Sequence, residues 1–357
     1  MTHLPVGVVN FGMLRFGQRL RLNRTLFNAW RDRRNVLHQD SGTLENVLPF
    51  WQDMAMRIGA FELNEPVPEL VDPHVFAMIR PWVDVGSVGT LTLNRLERYL
   101  GSKELGKLAR PGTFFDFTRY RPTMRNVDGR REVKIPNSII RYAKTENGPD
   151  YLFFHLLEPH SNGEDYTDSI LELVRHFNVK RYCRVGAMYD AVPHTRPLLV
   201  TGSLGEVPQI RPVANFKLRR STYQGPTTIM NLLSEGVENS EIESINFMVH
   251  LPQYVQLEED YAGTSRMIEV LSSVYEGIPA DLAPVRRGQR QYRELNSTVE
   301  RNSELKDLIR QMEAYYDAQL DSEESKSEEP ATTADLSPEI ERFLSELGER
   351  LDTDREE

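Results

Sequence analysis

Cysteine is nearly missing from this chain: among 357 residues the single example is Cys183. One thiol forms no internal disulfide and rules out a structural zinc built on cysteines, a pattern that fits a reducing compartment. Long apolar runs are missing as well. None approaches the roughly 20 residues that span a bilayer. A secretory leader is not evident, because the first apolar stretch, residues 4–16, has Arg15, Arg19 and Arg21 at or beyond its end rather than before it. These absences predict a cytoplasmic protein with no membrane partner.

Recognisable phosphate and nucleophile motifs are equally scarce. The sequence contains no G-x-G-x-x-G, no G-x-x-x-x-G-K-[ST], no G-x-S-x-G and no H-E-x-x-H. The nearest approach is Gly86-Ser87-Val88-Gly89, which either presents N–H groups to an anion or packs a strand tightly on a helix. No cofactor and no metal site is expected.

Charge of one sign is absent from the body. Residues 54–293 hold 29 basic and 29 acidic side chains, which leaves no electrostatic footprint for nucleic acid. The overall net charge of −10 comes from residues 294–357, with 7 basic and 20 acidic residues. Residues 1–53 are arginine-rich, lack lysine and show no clean period. They read as an atypical N-terminal extension, either a poorly ordered arm or the product of a start assigned upstream of Met54 or Met56.

What is present is a sizeable core, with 39% hydrophobic residues. Residues 75–79 are a continuous apolar run suited to a buried strand, and residues 151–157 (Tyr-Leu-Phe-Phe-His-Leu-Leu) are the best central-strand candidate. Residues 182–188, 198–201 and 245–250 supply further strands. Pro136 makes any strand at 134–140 an edge, or ends it early. Helical spacing marks residues 86–100 (Val88, Leu91, Leu96, Tyr99), 165–177 (Tyr166, Ile170, Val174, Phe177) and 262–275 (Met267, Leu271, Val274). Alternating strands and helices predict a three-layer α/β/α domain over residues 54–293, with a mixed, largely parallel sheet.

C-terminal helices follow. Ser297-Thr298-Val299-Glu300 matches a capping box that would open a helix over 294–320. Residues 321–335 form an acidic linker too polar to order itself. Residues 336–357 hold a short amphipathic helix with Ile340, Phe343, Leu344 and Leu347 on one face. So short a helix is marginal alone in water, so that face is expected to dock on a partner surface.

The most unusual segment is Gly186 to Pro197, whose Pro193-His194-Thr195-Arg196-Pro197 core is stiffened by two prolines. It displays Asp190, His194, Thr195 and Arg196. Held together, these side chains either bind an anion and run acid–base chemistry or brace the loop and pack against a neighbouring subunit. Glu158 follows the best central strand, where ligands gather beyond strand carboxyl ends in open α/β sheets; the alternative is a solvated loop carboxylate. His250 reads as a satisfied, half-buried histidine, and Cys183 as a plain core residue.

Those loops resemble the proteasome assembly chaperone family, in its second-chaperone branch with bacterial and archaeal members. The resemblance rests on Glu158-Pro159, on residues 186–197, on Tyr223-Gln224-Gly225-Pro226 and on residues 248–254. Arg80-Pro81-Trp82-Val83-Asp84 resembles the family's Gly-Trp-Asp-like turn, though Arg-Pro precedes the tryptophan and Val83 intervenes. The likeness covers residues 58–279. It implies a fold related to nucleoside phosphorylases and peptidyl hydrolases, usually built into homo-oligomers and often trimers. It makes Trp82, Asp84, Tyr189, Thr195, Tyr223, Gln224 and His250 binding candidates beside the catalytic candidates Glu158, Asp190, His194 and Arg196. Some members end in a hydrophobic-Tyr-any tail that docks on the proteasome; this sequence ends Thr353-Asp354-Arg355-Glu356-Glu357. Some bacterial members carry an inherited ATP-grasp ligase label, which the absent glycine loop does not support. The expectation is a non-enzymatic oligomeric assembly protein with an unidentified protein partner. Its rival is an enzyme acting on an anionic small molecule.

Overall fold

The computed structural model describes residues 56–211, 218, 224–240 and 242–325. The extension 1–53, Tyr223, most of the acidic linker, and the final helix with Ile340, Phe343, Leu344 and Leu347 lie outside the described residues.

Nine strands make one sheet in the order β1-β2-β4-β7-β8-β3-β9-β11-β10. They are β1 (Met56–Ile58), β2 (Phe61–Leu63), β3 (His74–Arg80), β4 (Lys103–Leu108), β7 (Ile139–Ala143), β8 (Tyr151–Leu157), β9 (Arg181–Asp190), β10 (Val200–Ser203) and β11 (Glu243–Pro252). A separate hairpin joins β5 (Thr123–Val127) to β6 (Arg130–Lys134). Strand β8 is the fifth of the nine, as its almost wholly apolar run predicts, because a strand covered on both faces keeps nearly all of its side chains out of water; only His155 is half-buried. Parallel pairing joins the four strands β8, β3, β9 and β11. The flanks on both sides are antiparallel.

Helices cover both faces. On one side α2 (Gly163–His176) and α3 (Ile229–Glu238) set Tyr166, Ile170, Leu173, Met230 and Leu233 against Ala77, Ile79, Phe154 and Leu156. On the other, α1 (Val88–Leu100) and α4 (Tyr261–Val274) set Val88, Leu93, Met267 and Leu271 against Phe76, Met78, Phe153 and Phe247. The adjacent Phe153 and Phe154 enter opposite cores because successive strand side chains alternate. Each contributes roughly 1.5–3 kcal/mol on burial before ordering costs.

The α1 stripe differs from the sequence reading. Thr92, Leu93 and Leu96 are buried, whereas Tyr99 is exposed and Leu91 only half-buried. At Gly86 an added Cβ would lie 2.7 Å from Asp260 Cβ, so the 86–89 segment forms a tightly packed turn.

The capping box is also corrected. Residues 297–299 close α5 (Val285–Val299), where Ser297 Oγ donates back to the Arg293 carbonyl. The next helix, α6 (Ser303–Ser325), is capped by Asn302 Oδ1, which accepts from Leu305 N at 3.2 Å. These hydroxyls bond back to carbonyls four residues earlier in their own helix, so the motif here lies at the end of one. Helix α5 runs across residues 293–294, and α6 runs into the first residues of the expected linker.

Cys183 is buried and free, and burial pushes its thiol up to about 12, which leaves it protonated and inert. His74, at the start of β3, is wedged edge-on to Tyr151 and Tyr275. Burial, and then the Arg181 charge, lower its pKa to about 4. The unfolded chain therefore takes up this proton near pH 6.5, while the fold resists it down to about pH 4. Stability is expected to fall as pH drops through that window. Urea midpoints of His74→Gln measured from pH 7 to 4 are expected to decline less steeply than those of the parent; parallel declines would contradict this.

Candidate functional site

Because β3, β8, β9 and β11 run parallel, their carboxyl ends open at one edge of the sheet. Trp82, Glu158, Asp190 and the 191–197 loop all follow those ends, which is where the sequence placed its candidates.

Their partners separate them. The Glu158 carboxyl lies in a cleft with Trp82, Tyr120 and His160. Its Oε1 accepts from Ile229 N at the start of α3 at 3.1 Å, while Oε2 is buried and has no partner among the described residues. Burial raises its pKa, and the Ile229 N–H only partly offsets that. Asp84 turns inward instead: Thr90 donates to it from N at 3.0 Å and from Oγ1 at 2.6 Å, so it holds the first turn of α1. Burial raises its pKa as well. Tyr189 packs half-buried against the second core, Gln224 is exposed, and Trp82 is exposed.

The Pro-His-Thr-Arg-Pro loop is bound to the C-terminal helices. Arg196 makes a two-pronged pair with Asp317, Nε to Oδ1 at 2.9 Å and Nη2 to Oδ2 at 2.8 Å, and a third contact to Glu313 at 3.1 Å. The bond to Asp317 raises the guanidinium pKa, and the same bond lowers that of the carboxyl. Thr195 Oγ1 donates to Glu313, and Tyr316 donates to the Pro197 carbonyl at 2.7 Å. His194 accepts from Tyr254 OH at Nδ1 (2.7 Å) and donates from Nε2 to Asn296 Oδ1 (2.9 Å), with burial lowering its pKa.

Asp190 and His250 do meet. His250 Nδ1 donates to Asp190 Oδ2 at 2.7 Å, which leaves Nε2 to accept from Thr201 Oγ1 at 2.8 Å. This carboxylate–imidazole–hydroxyl relay ties β9, β11 and β10 together and fixes the histidine tautomer. Thr201 escaped the sequence reading because one threonine in a short strand carries no local signal. Arg184, Asn231 and Asn246, which line a cavity beside it, escaped for the same reason. Among the described residues no group of His, Cys, Asp and Glu is arranged to hold a metal, and no helix is long and apolar enough to cross a membrane.

A mixed sheet between two helical layers, with loops gathered beyond its parallel strands, defines a layered α/β protein. The PAC2 family pattern matches residues 78–296, and the chain belongs to that family. A Corynebacterium glutamicum protein of unknown function is 20% identical, with a TM-score of 0.65, over 74% of this chain and 99% of its own. A Mycobacterium tuberculosis protein of unknown function is 22% identical, with a TM-score of 0.65, over 76% and 93%. A proteasome-assembly chaperone homologue from the same organism is 22% identical, with a TM-score of 0.57, over 66% and 99%. No curated protein is similar enough to count as a relative. The resemblance read from the 186–197 loop and the α/β fold expected from the strand pattern both hold.

Proposed function

We propose that this chain is a non-enzymatic assembly or interaction protein that works as a homo-oligomer. The observation that carries this reading is the β5–β6 hairpin. Every residue of both strands is exposed, and Met124 stands opposite Val133 in register with Ile135 just beyond. An isolated two-stranded hairpin is marginal in water and needs a further surface. A second copy of the chain supplies one. The family supports the same reading, since relatives of this fold include the proteasome-assembly chaperone homologue and an archaeal proteasome activator. On this reading the amphipathic segment with Ile340, Phe343, Leu344 and Leu347 is a second docking element.

The enzyme reading needs Glu158, Asp190, His194 and Arg196 around one pocket. It is less favoured because the four take separate sets of partners. Mass photometry of the full chain tests the proposal. The expected particle is a multiple of 41.2 kDa. Met124→Glu with Val133→Glu is expected to shift it to the single-chain mass. A monomeric parent at micromolar concentration, or a double variant that assembles as before, would overturn it.

A further inference from the structure

A cavity of about 460 Å³ lies where β9, β10 and β11 meet the start of α3 and Trp82. Pockets of this size take small organic ligands. Its charged wall is Arg184, whose Nη1 donates to Asn231 Oδ1 at 2.6 Å. That bond uses one of five guanidinium N–H groups. Among the described residues no carboxylate pairs with Arg184, although Arg181, three residues earlier on the same strand, reaches Glu243 at 2.8 Å. Burial lowers the Arg184 pKa, and the Glu238 charge only partly offsets that. The Glu238 charge acts on Arg184 without pairing to it, so the guanidinium is only partly compensated, and a bound anion would complete the compensation.

The other walls narrow the ligand class. Trp82, Met188 and Met248 are apolar or aromatic. The Thr201 hydroxyl proton is committed to His250, so its oxygen faces the cavity as an acceptor. We propose that the cavity binds a carboxylate carrying an apolar group and a neighbouring N–H, as in an N-acyl amino acid or the carboxyl end of a peptide. The carboxylate takes the free fork of Arg184, the apolar group lies against Trp82 and Met248, and the N–H meets Thr201. This assignment does not depend on the oligomeric reading above.

The test uses the full chain carrying Trp30→Phe and Trp51→Phe, which leaves Trp82 as the only tryptophan. N-acetyl-leucine, N-acetyl-leucinamide, inorganic phosphate and a pentapeptide ending in leucine are titrated separately against Trp82 fluorescence, with the thermal midpoint as an independent readout. N-acetyl-leucine is expected to saturate and to raise the midpoint; the amide and phosphate are not. Arg184→Gln is expected to weaken binding by about tenfold or more. Should that variant not fold, Asn231→Asp, which places a carboxylate beside the guanidinium, is expected to weaken binding likewise. Tighter binding of the pentapeptide assigns the site to a protein terminus, and equal binding assigns it to a small acid. The proposal is overturned by no saturation with either acid, by equal binding of the amide, by an unchanged affinity in the variants, or by an altered particle mass for Arg184→Gln, which would make the cavity a subunit contact.

Discussion

Gly202→Ala is expected to unfold at a markedly lower temperature than the parent. Gly202 lies opposite Phe247 in the β10–β11 ladder, and a Cβ added there would sit 1.9 Å from the Asn246 carbonyl oxygen. That neighbour is backbone held in the sheet and cannot swing aside, so the strands must part. Overpacking against an unyielding group costs about 3 kcal/mol. In a domain of this size that lowers the midpoint by roughly 6–10 °C. The effect should extend to the relay, because Thr201 reaches His250 only while β10 stays paired with β11. Differential scanning calorimetry measures the shift. Ser203→Ala, an exposed change one residue away, is the control and should fall within about 0.5 kcal/mol of the parent. A Gly202→Ala midpoint equal to that of Ser203→Ala would mean that β10 is not held in this register.

The second large effect is expected at Arg196, and it is local. Three contacts join this guanidinium to Asp317 and Glu313, more than a hundred residues away in the chain. Arg196 and Asp317 are partly open to water, so solvent screens the pair and keeps its contribution modest. What the pair holds is α6, which is also attached through the buried Ile309, Met312 and Tyr316 and through the Thr195 bond to Glu313. Arg196→Ala should therefore raise amide exchange over residues 309–317 above that of the parent. The strands should exchange as before. High salt applied to the parent should give a weaker form of the same change, since it screens an exposed pair. A stabilised Arg196→Ala chain would count against bracing, because residues kept for function rather than packing often cost stability.

Several elements were legible because their signals are local. The run 151–157 is apolar at every position except His155, and a stretch like that finds full burial only at the centre of a sheet. Tyr166, Ile170 and Val174 recur every four residues, so one face of α2 could be read directly. Helix α1 was misread on its rim because Tyr99 and Leu91 satisfy the same period as the buried residues, and only packing against the sheet and α4 separates the two. The capping box failed for a similar reason: four residues match equally well at the end of a helix whose hydroxyls bond back to earlier carbonyls.

By itself the sequence determined the layered α/β architecture, the central strand, the neutral body and the stiff 193–197 loop, since composition and periodicity act between near neighbours. Tertiary structure alone decided which partners that loop meets. It sent Arg196 to Asp317, His194 to Asn296 and Asp190 to His250, over separations of 60 to 121 residues. It also left Arg184 beside an amide rather than a carboxylate. A charge is compensated or left bare by what the fold brings within a few ångströms, and no spacing along the chain encodes that distance.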